Sequence, residues 1–217
     1  MPYPPAPWHL QGEAVQTLQL IEIDRARPLI PPSVSILPIL PGRTLGGVYF
    51  AHYGSGSILE YHELIVAAAL TRVDKQIGYW ISHIYVDQPA SMQGGRAIWG
   101  LPKTLAEFHW AFAETGEISV QQAGQLLCTL RYSRPRNCLP MPLVLPTISQ
   151  LEDNLLHFRG QGQGCLGWGQ GRLDAPDDSP LAGLDLTRSG HTFHLRNMRL
   201  LVNAPRPIRE SIASNQV

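Results

Sequence analysis

Lysine is nearly absent from this chain: among its seventeen basic residues only Lys75 and Lys103 are lysines. Charge as a whole is thin, at 16% of residues, and seventeen acidic side chains cancel the basic ones. No uniform field is left to draw nucleic acid or an anionic membrane surface. No apolar run approaches the ~18 residues that a membrane-spanning helix needs. The first ten residues, "MPYPPAPWHL", lack the basic segment and apolar stretch of a secretory signal. Cysteine is scarce too. Cys128, Cys138 and Cys165 have no CxxC or other metal spacing, and an odd count argues against a disulfide framework. Reduced thiols in a soluble, cytoplasmic protein are the expectation. No internal period of repeat length is visible, which excludes a solenoid or propeller.

What the chain does have is strand. Apolar residues make up 44% of its 217 positions, enough for the core of one domain over 1–217. The prolines among residues 1–7 predict an extended arm. "EAVQTLQLIEI", 13–23, alternates apolar and polar as a half-buried strand does, and Asp24 then caps a short helical "RARPLI". Segments 33–40, 44–53, 61–73 and 76–86 predict four further strands, with "LIVAAALTRV" apolar on both faces, as in a central strand or one lining an interior. Asp87 and Pro89 predict a short helix that stops at Gly94-Gly95. Segments 105–112, 118–122 and 125–132 predict a meander, and the proline-rich 135–146 predicts a surface connection. Segments 155–159, 165–173 and 192–202 complete the strands before a polar tail, 206–217. The fold class expected is mainly β: an antiparallel closed or nearly closed barrel, or two packed sheets, with one or two short helices.

Several motifs carry no chemistry on inspection. Gly162 to Gly167 matches GxGxxG, but "WGQGRLDAPDDSP" after it is not the helix a dinucleotide site requires. Its alternating glycines fit a bent barrel strand with one bare face. His191 and His194, three apart in a strand, point to opposite faces and do not share a metal. Ser55 and Ser57 sit in a polar hairpin loop rather than a strained nucleophile elbow. No metal and no cofactor is expected.

Two residues do carry chemistry. Glu63 in "YHE" shares a strand face with Tyr61 and Ile65, opposite Leu64, Val66 and Ala68; an inward carboxylate there requires a partner or a substrate. Lys103 ends the apolar turn "WGLPK". Only lysine's amine loses its proton at workable cost to attack a carbonyl. At its ordinary pKa, about one amine in a thousand is neutral near pH 7.4, and a three-unit shift corresponds to about 4 kcal/mol. Burial against Trp99, Leu101 and Pro102 is an environment of the right kind.

"IYVDQPASMQGGRAIWGLPKTLAEF", with "YHE" upstream, resembles the core of the acetoacetate decarboxylase superfamily. The resemblance implies that Lys103 is a Schiff-base amine and Glu63 the acid of its pocket; Trp99 and Tyr61 are candidate substrate-binding neighbours, and Arg96 either orients the turn or binds a substrate carboxylate. It implies a lyase acting on a small keto acid or related carbonyl compound, and a homo-oligomer. Thr104 stands where the decarboxylases carry a second lysine. Their pocket arginine and second glutamate fall, without gaps, at about Gly12 to Glu13 and at Val48. "PWHLQGEAVQTLQLIEIDRARPLIPP" and "GRTLGGVYFAHYGSG" are similar to a divergent branch, the plant neoxanthin-deficiency proteins and their cyanobacterial relatives. That branch implies an alternative: a non-catalytic or accessory protein holding an apolar, isoprenoid-type ligand and linked to xanthophyll formation.

Overall fold

The computed structural model describes residues 2–111, 115–186 and 189–208. Strands β1 (Trp8–Thr17), β2 (Gln19–Glu22), β3 (Ser35–Ile36), β4 (Arg43–Tyr53), β5 (Tyr61–Val73) and β6 (Gln76–Val86) come first, with the four-residue helix α1 (Ile23–Ala26) between β2 and β3. Helix α2 (Pro89–Trp99) follows. Then come β7 (Lys103–Leu105), β8 (Glu107–Ala111), β9 (Thr115–Gln122), β10 (Gln125–Ser133), β11 (Leu139–Leu151), β12 (Asn154–Asp174), β13 (Ser189–Val202) and β14 (Arg206–Pro207). The chain is mainly β, as its alternation predicts.

Seven strands close on themselves in the order β11-β6-β5-β4-β1-β13-β12, and the β12–β11 pairing completes the ring. Closure removes the sheet edges that would otherwise stay unpaired. Neighbours are antiparallel except at β11–β6, where a short parallel ladder helps close the ring, and at β6–β7, where β7 lies parallel to β6 off the ring's path. The far end of β12 also pairs with β10, which leads through β9 to β8 and carries the same sheet on outside the ring. Two cores result. Leu64, Val66 and Ala68 of β5 pack with Leu127 and Leu130 of β10 outside the ring, whereas Tyr49, Tyr53, Tyr61, Trp99 and Leu200 fill one end of its interior. That is why β5 is apolar on both faces: each face meets a different core.

Several predicted elements change on folding. The expected surface connection at 135–146 is mostly strand: β11 begins at Leu139 and pairs with β12 along its whole length. Pro140, Pro142 and Pro146 share one parity, so their missing N–H groups all lie on the side away from β12, where a strand tolerates proline. The segments 155–159 and 165–173 are one long strand, and Gly162 faces Arg199 so closely that an added Cβ would lie 1.9 Å from the Arg199 carbonyl oxygen. The polar tail starts as β14, on β12; residues 209–217 lie outside the described residues.

The cysteine expectation is corrected as well. Cys138 and Cys165 form a disulfide with Cα atoms 5.3 Å apart. The β11–β12 register sets Pro140 opposite Cys165 and so brings Cys138 diagonally beside it. Cys128 stays free and buried. No helix among the described residues is long and apolar enough to cross a membrane.

Candidate active site

Helix α2 builds one end of the ring's interior. It does not stop at Gly94-Gly95 but runs through them to a left-handed Gly100 at φ 61°. The two glycines are there for close packing: a Cβ on Gly94 would come within 2.6 Å of the Trp8 ring, and one on Gly95 within 2.4 Å of Lys103 Cδ. Gly100 ends the helix by turning left-handed, and glycine is required there twice over, since Gln150 O lies 2.3 Å from where a Cβ would be. Gln88, not Asp87, caps the first turn through its side chain. Asp87 instead accepts from the backbone N–H of His62 and pairs with its ring at 2.7 Å. Ser91, Gly94, Gly95 and Trp99 form the buried stripe, the i, i+3, i+4 face expected of a helix lying on a core.

After Gly100 the chain turns at Pro102 into β7, which runs parallel to β6, with Lys103 beside Ile84. The alternation of that short strand turns Lys103 inward and Thr104 away. Lys103 is 3% exposed and Glu63 4%. Its Nζ donates to Glu63 Oε1 at 2.6 Å and to Ser91 Oγ at 3.0 Å. The Tyr61 and Trp8 rings lie 5.2 Å and 5.7 Å from Nζ, within cation–π range. Tyr53 donates its hydroxyl to the other Glu63 oxygen at 3.2 Å. Burial first, with the Glu63 charge adding to it, pushes the Tyr61 hydroxyl well above its usual range. Burial does the same to Tyr53, reinforced by Tyr49 and then Glu63. Both tyrosines therefore stay neutral donors beside the carboxylate.

The pair sits in a cavity of about 130 Å³ inside the ring, bounded at this end by Trp8, Trp99 and Tyr53. From Glu63 it follows the inward residues Ile65 and Ala67 of β5, roughly 13 Å at ~3.3 Å per residue. It reaches Leu18, which is 40% exposed. Among the described residues that line it, Lys103 and Glu63 are the only charged side chains.

The sequence candidates separate accordingly. Lys103, Glu63, Trp99 and Tyr61 line the cavity together. Arg96 does not: it is exposed, and its Nε donates to the Lys103 carbonyl at 2.6 Å, pinning the turn from outside. Neither position that stands for a missing family charge supplies one. Glu13 turns to His194 at 2.8 Å, and Val48 packs its side chain into the outer core. The residues that sequence reasoning missed are Ser91, Tyr53 and Tyr49. Tyr49 and Tyr53 share parity across the hairpin from Tyr61 and Glu63, so the loop at 54–57 held a signal for them. Ser91 lies three and four residues before the two glycines, on their helix face.

The family model described as "Acetoacetate decarboxylase (ADC)" matches residues 1–164. The chain belongs to the acetoacetate decarboxylase family. The ring fold is shared with the acetoacetate decarboxylase of Legionella pneumophila, at TM-score 0.68 and 16% identity over 98% of this chain and 91% of that one. It is also shared with the enduracididine biosynthesis enzyme MppR complexed with pyruvate, at TM-score 0.69 and 16% identity over 94% and 91%. By sequence, the tomato (Solanum lycopersicum) Protein NEOXANTHIN-DEFICIENT 1 is 30% identical over 106 residues, 49% of this chain and 36% of that protein. The Arabidopsis thaliana protein of the same name is 28% identical over 106 residues, 49% and 37%. The match thus spans little more than a third of these plant relatives.

Proposed function

We propose that this protein is an imine-forming lyase acting on a small keto acid or related carbonyl compound through Lys103. The observation that carries this reading is a buried amine held at 2.6 Å by a buried carboxylate at the end of an internal cavity. The ammonium passes a proton to Glu63, and the freed amine adds to the substrate carbonyl carbon. The carbinolamine's hydroxyl takes the Glu63 proton and leaves as water, giving an iminium beside a carboxylate again. The iminium then draws the electron pair of an α-bond toward nitrogen, and Glu63 accepts or returns the α-proton. Ser91 and Tyr53 hold the two reacting groups in register.

The test is reduction with cyanoborohydride in the presence of a panel of small carbonyl compounds. A mass adduct is expected on the peptide containing Lys103, absent in Lys103→Arg. No adduct on that peptide with any member of the panel overturns the reading.

A second reading, an accessory protein that binds an isoprenoid-type ligand, draws on the apolar walls and on the likeness to NEOXANTHIN-DEFICIENT 1. The cavity of about 130 Å³ argues against a whole carotenoid inside the ring, since pockets for drug-sized ligands already span roughly 300–1,000 Å³. Apolar pigment purifying with the protein would favour this reading.

A further inference from the structure

The charges inside the cavity bear on which carbonyl compounds it accepts. Lys103 and Glu63 neutralise one another at 2.6 Å. Once the amine has become an iminium the balance is unchanged, one positive charge against one carboxylate. A keto acid brings a second carboxylate, and among the described lining residues no guanidinium, imidazole or second ammonium meets it. Arg96, the cation on the same turn, is occupied at the Lys103 carbonyl outside the cavity. Glu63 would stand against the new carboxylate within the same small space. A buried carboxylate without its own partner is strongly disfavoured.

The remaining walls point the same way. Beyond Glu63 the walls mix aliphatic side chains such as Ile65, Ala67 and Ile81, which suit an alkyl or alkenyl group, with the neutral polar groups of Gln16, Tyr79 and Thr147; none carries a charge to offset a carboxylate. The polar groups within reach of the amine are the hydroxyls of Tyr53, Tyr61 and Ser91. These suit a neutral oxygen, and the tyrosines are held in their uncharged form by burial.

We infer that the substrate is a neutral aldehyde or ketone whose apolar substituent lies along Ile65 and Ala67, and that keto acids are discriminated against. This rests on the imine reading above. With no carboxylate on the substrate, no carbon dioxide is released. The iminium instead loses an α-proton to Glu63, leaving the C–H electron pair in an enamine; where the β-carbon carries a hydroxyl, the Cα–Cβ pair enters the enamine instead, the hydroxyl proton passes to Glu63 and the β-carbon leaves as an aldehyde or ketone.

A matched pair tests this: pentan-2-one and 2-oxopentanoate, which differ in a methyl against a carboxylate on the carbonyl carbon. Each is reduced onto the full chain with cyanoborohydride, and the initial rate of adduct formation on the Lys103 peptide is divided by the rate with Nα-acetyl-lysine under the same conditions. This removes the greater intrinsic reactivity of the keto acid. The normalised rate for pentan-2-one is expected to exceed that for 2-oxopentanoate by about tenfold or more, the size of preference an unpaired buried charge imposes. A ratio below about threefold, with an adduct still on Lys103, overturns the substrate class and leaves the imine reading intact. No Lys103 adduct from either compound overturns both.

Discussion

Gly95 lies directly beneath the stem of Lys103: a Cβ built on the glycine would fall 2.4 Å from Lys103 Cδ and 2.6 Å from Cε. The ammonium is fixed by Glu63 and Ser91, so the stem has little freedom to move aside. In an exposed helix, Gly→Ala is worth about 1 kcal/mol in favour of alanine. Here overpacking opposes it, at about 1–3 kcal/mol. Gly95→Ala is therefore expected to leave stability unchanged or lower it by up to about 2 kcal/mol, while displacing the amine from Glu63 and slowing Lys103 trapping at least tenfold. Thermal denaturation and adduct kinetics read the two effects separately. Trapping at the wild-type rate would show that the stem is not constrained.

The Lys103–Glu63 pair predicts a non-additive response. Removing one partner strands the other as an uncompensated charge in an apolar cavity, a cost of about 3–5 kcal/mol for buried pairs. Lys103→Met and Glu63→Gln should each show a loss of that order, while the double variant should lose much less than their sum. Urea denaturation of the four proteins closes the cycle. Additive losses would mean that the two groups do not depend on one another for burial.

How far the sequence reaches is uneven, for physical reasons. Period-2 alternation made β4, β5 and β6 legible, and the parity of β5 placed Glu63 on the face of Tyr61 and Ile65 from sequence alone. Lys103 stands out in the sequence because the proposed imine chemistry needs an amine and the chain holds just two lysines. What stayed hidden depends on long-range approach. Gly94 and Gly95 read as a helix stop because local propensity does not see Trp8 and Lys103 lying over them. The prolines of β11 read as loop because their tolerance depends on which side of the strand is unpaired. The Cys138–Cys165 bond follows from that same pairing across 27 residues. Ser91 is an ordinary helix residue until the turn at Pro102 brings Lys103 back across it.

Thr104 was the residue that most separated this chain from the decarboxylases by sequence. In the fold it sits on the side of β7 opposite Lys103, with its hydroxyl on the Ile84 carbonyl at 3.4 Å. A unit charge 4 Å from the amine would be worth about 4 kcal/mol at an effective dielectric of 20, but a side chain leaving from the opposite face of the strand does not reach that distance. Thr104→Lys is expected to change the rate and pH profile of Lys103 trapping by less than about twofold, since its charge stays outside the cavity. A tenfold acceleration, or a profile displaced toward lower pH, would show that this position acts on the amine after all.

Acid sensitivity is expected at the start of α2. Burial alone would raise Asp87, but the bonds from the His62 ring and backbone N–H, together with the charge on that ring, outweigh it and hold the carboxyl below its ordinary 3.8. A carboxyl lowered in the folded state stabilises fully above the unfolded value, and its contribution is lost as pH falls through the folded one. The window therefore lies below pH 3.8. Asp87→Asn is expected to lower the thermal midpoint by an amount that is constant between about pH 5 and pH 4 and shrinks below that range. Glu13, also held below its ordinary value because His194 and Arg134 outweigh its burial, titrates in the same direction. It does so in both proteins, so the difference between them isolates Asp87. A gap that holds steady down to pH 2, or that widens as acid is added, would show that the ionised Asp87 carboxylate does not tie β5 to the helix.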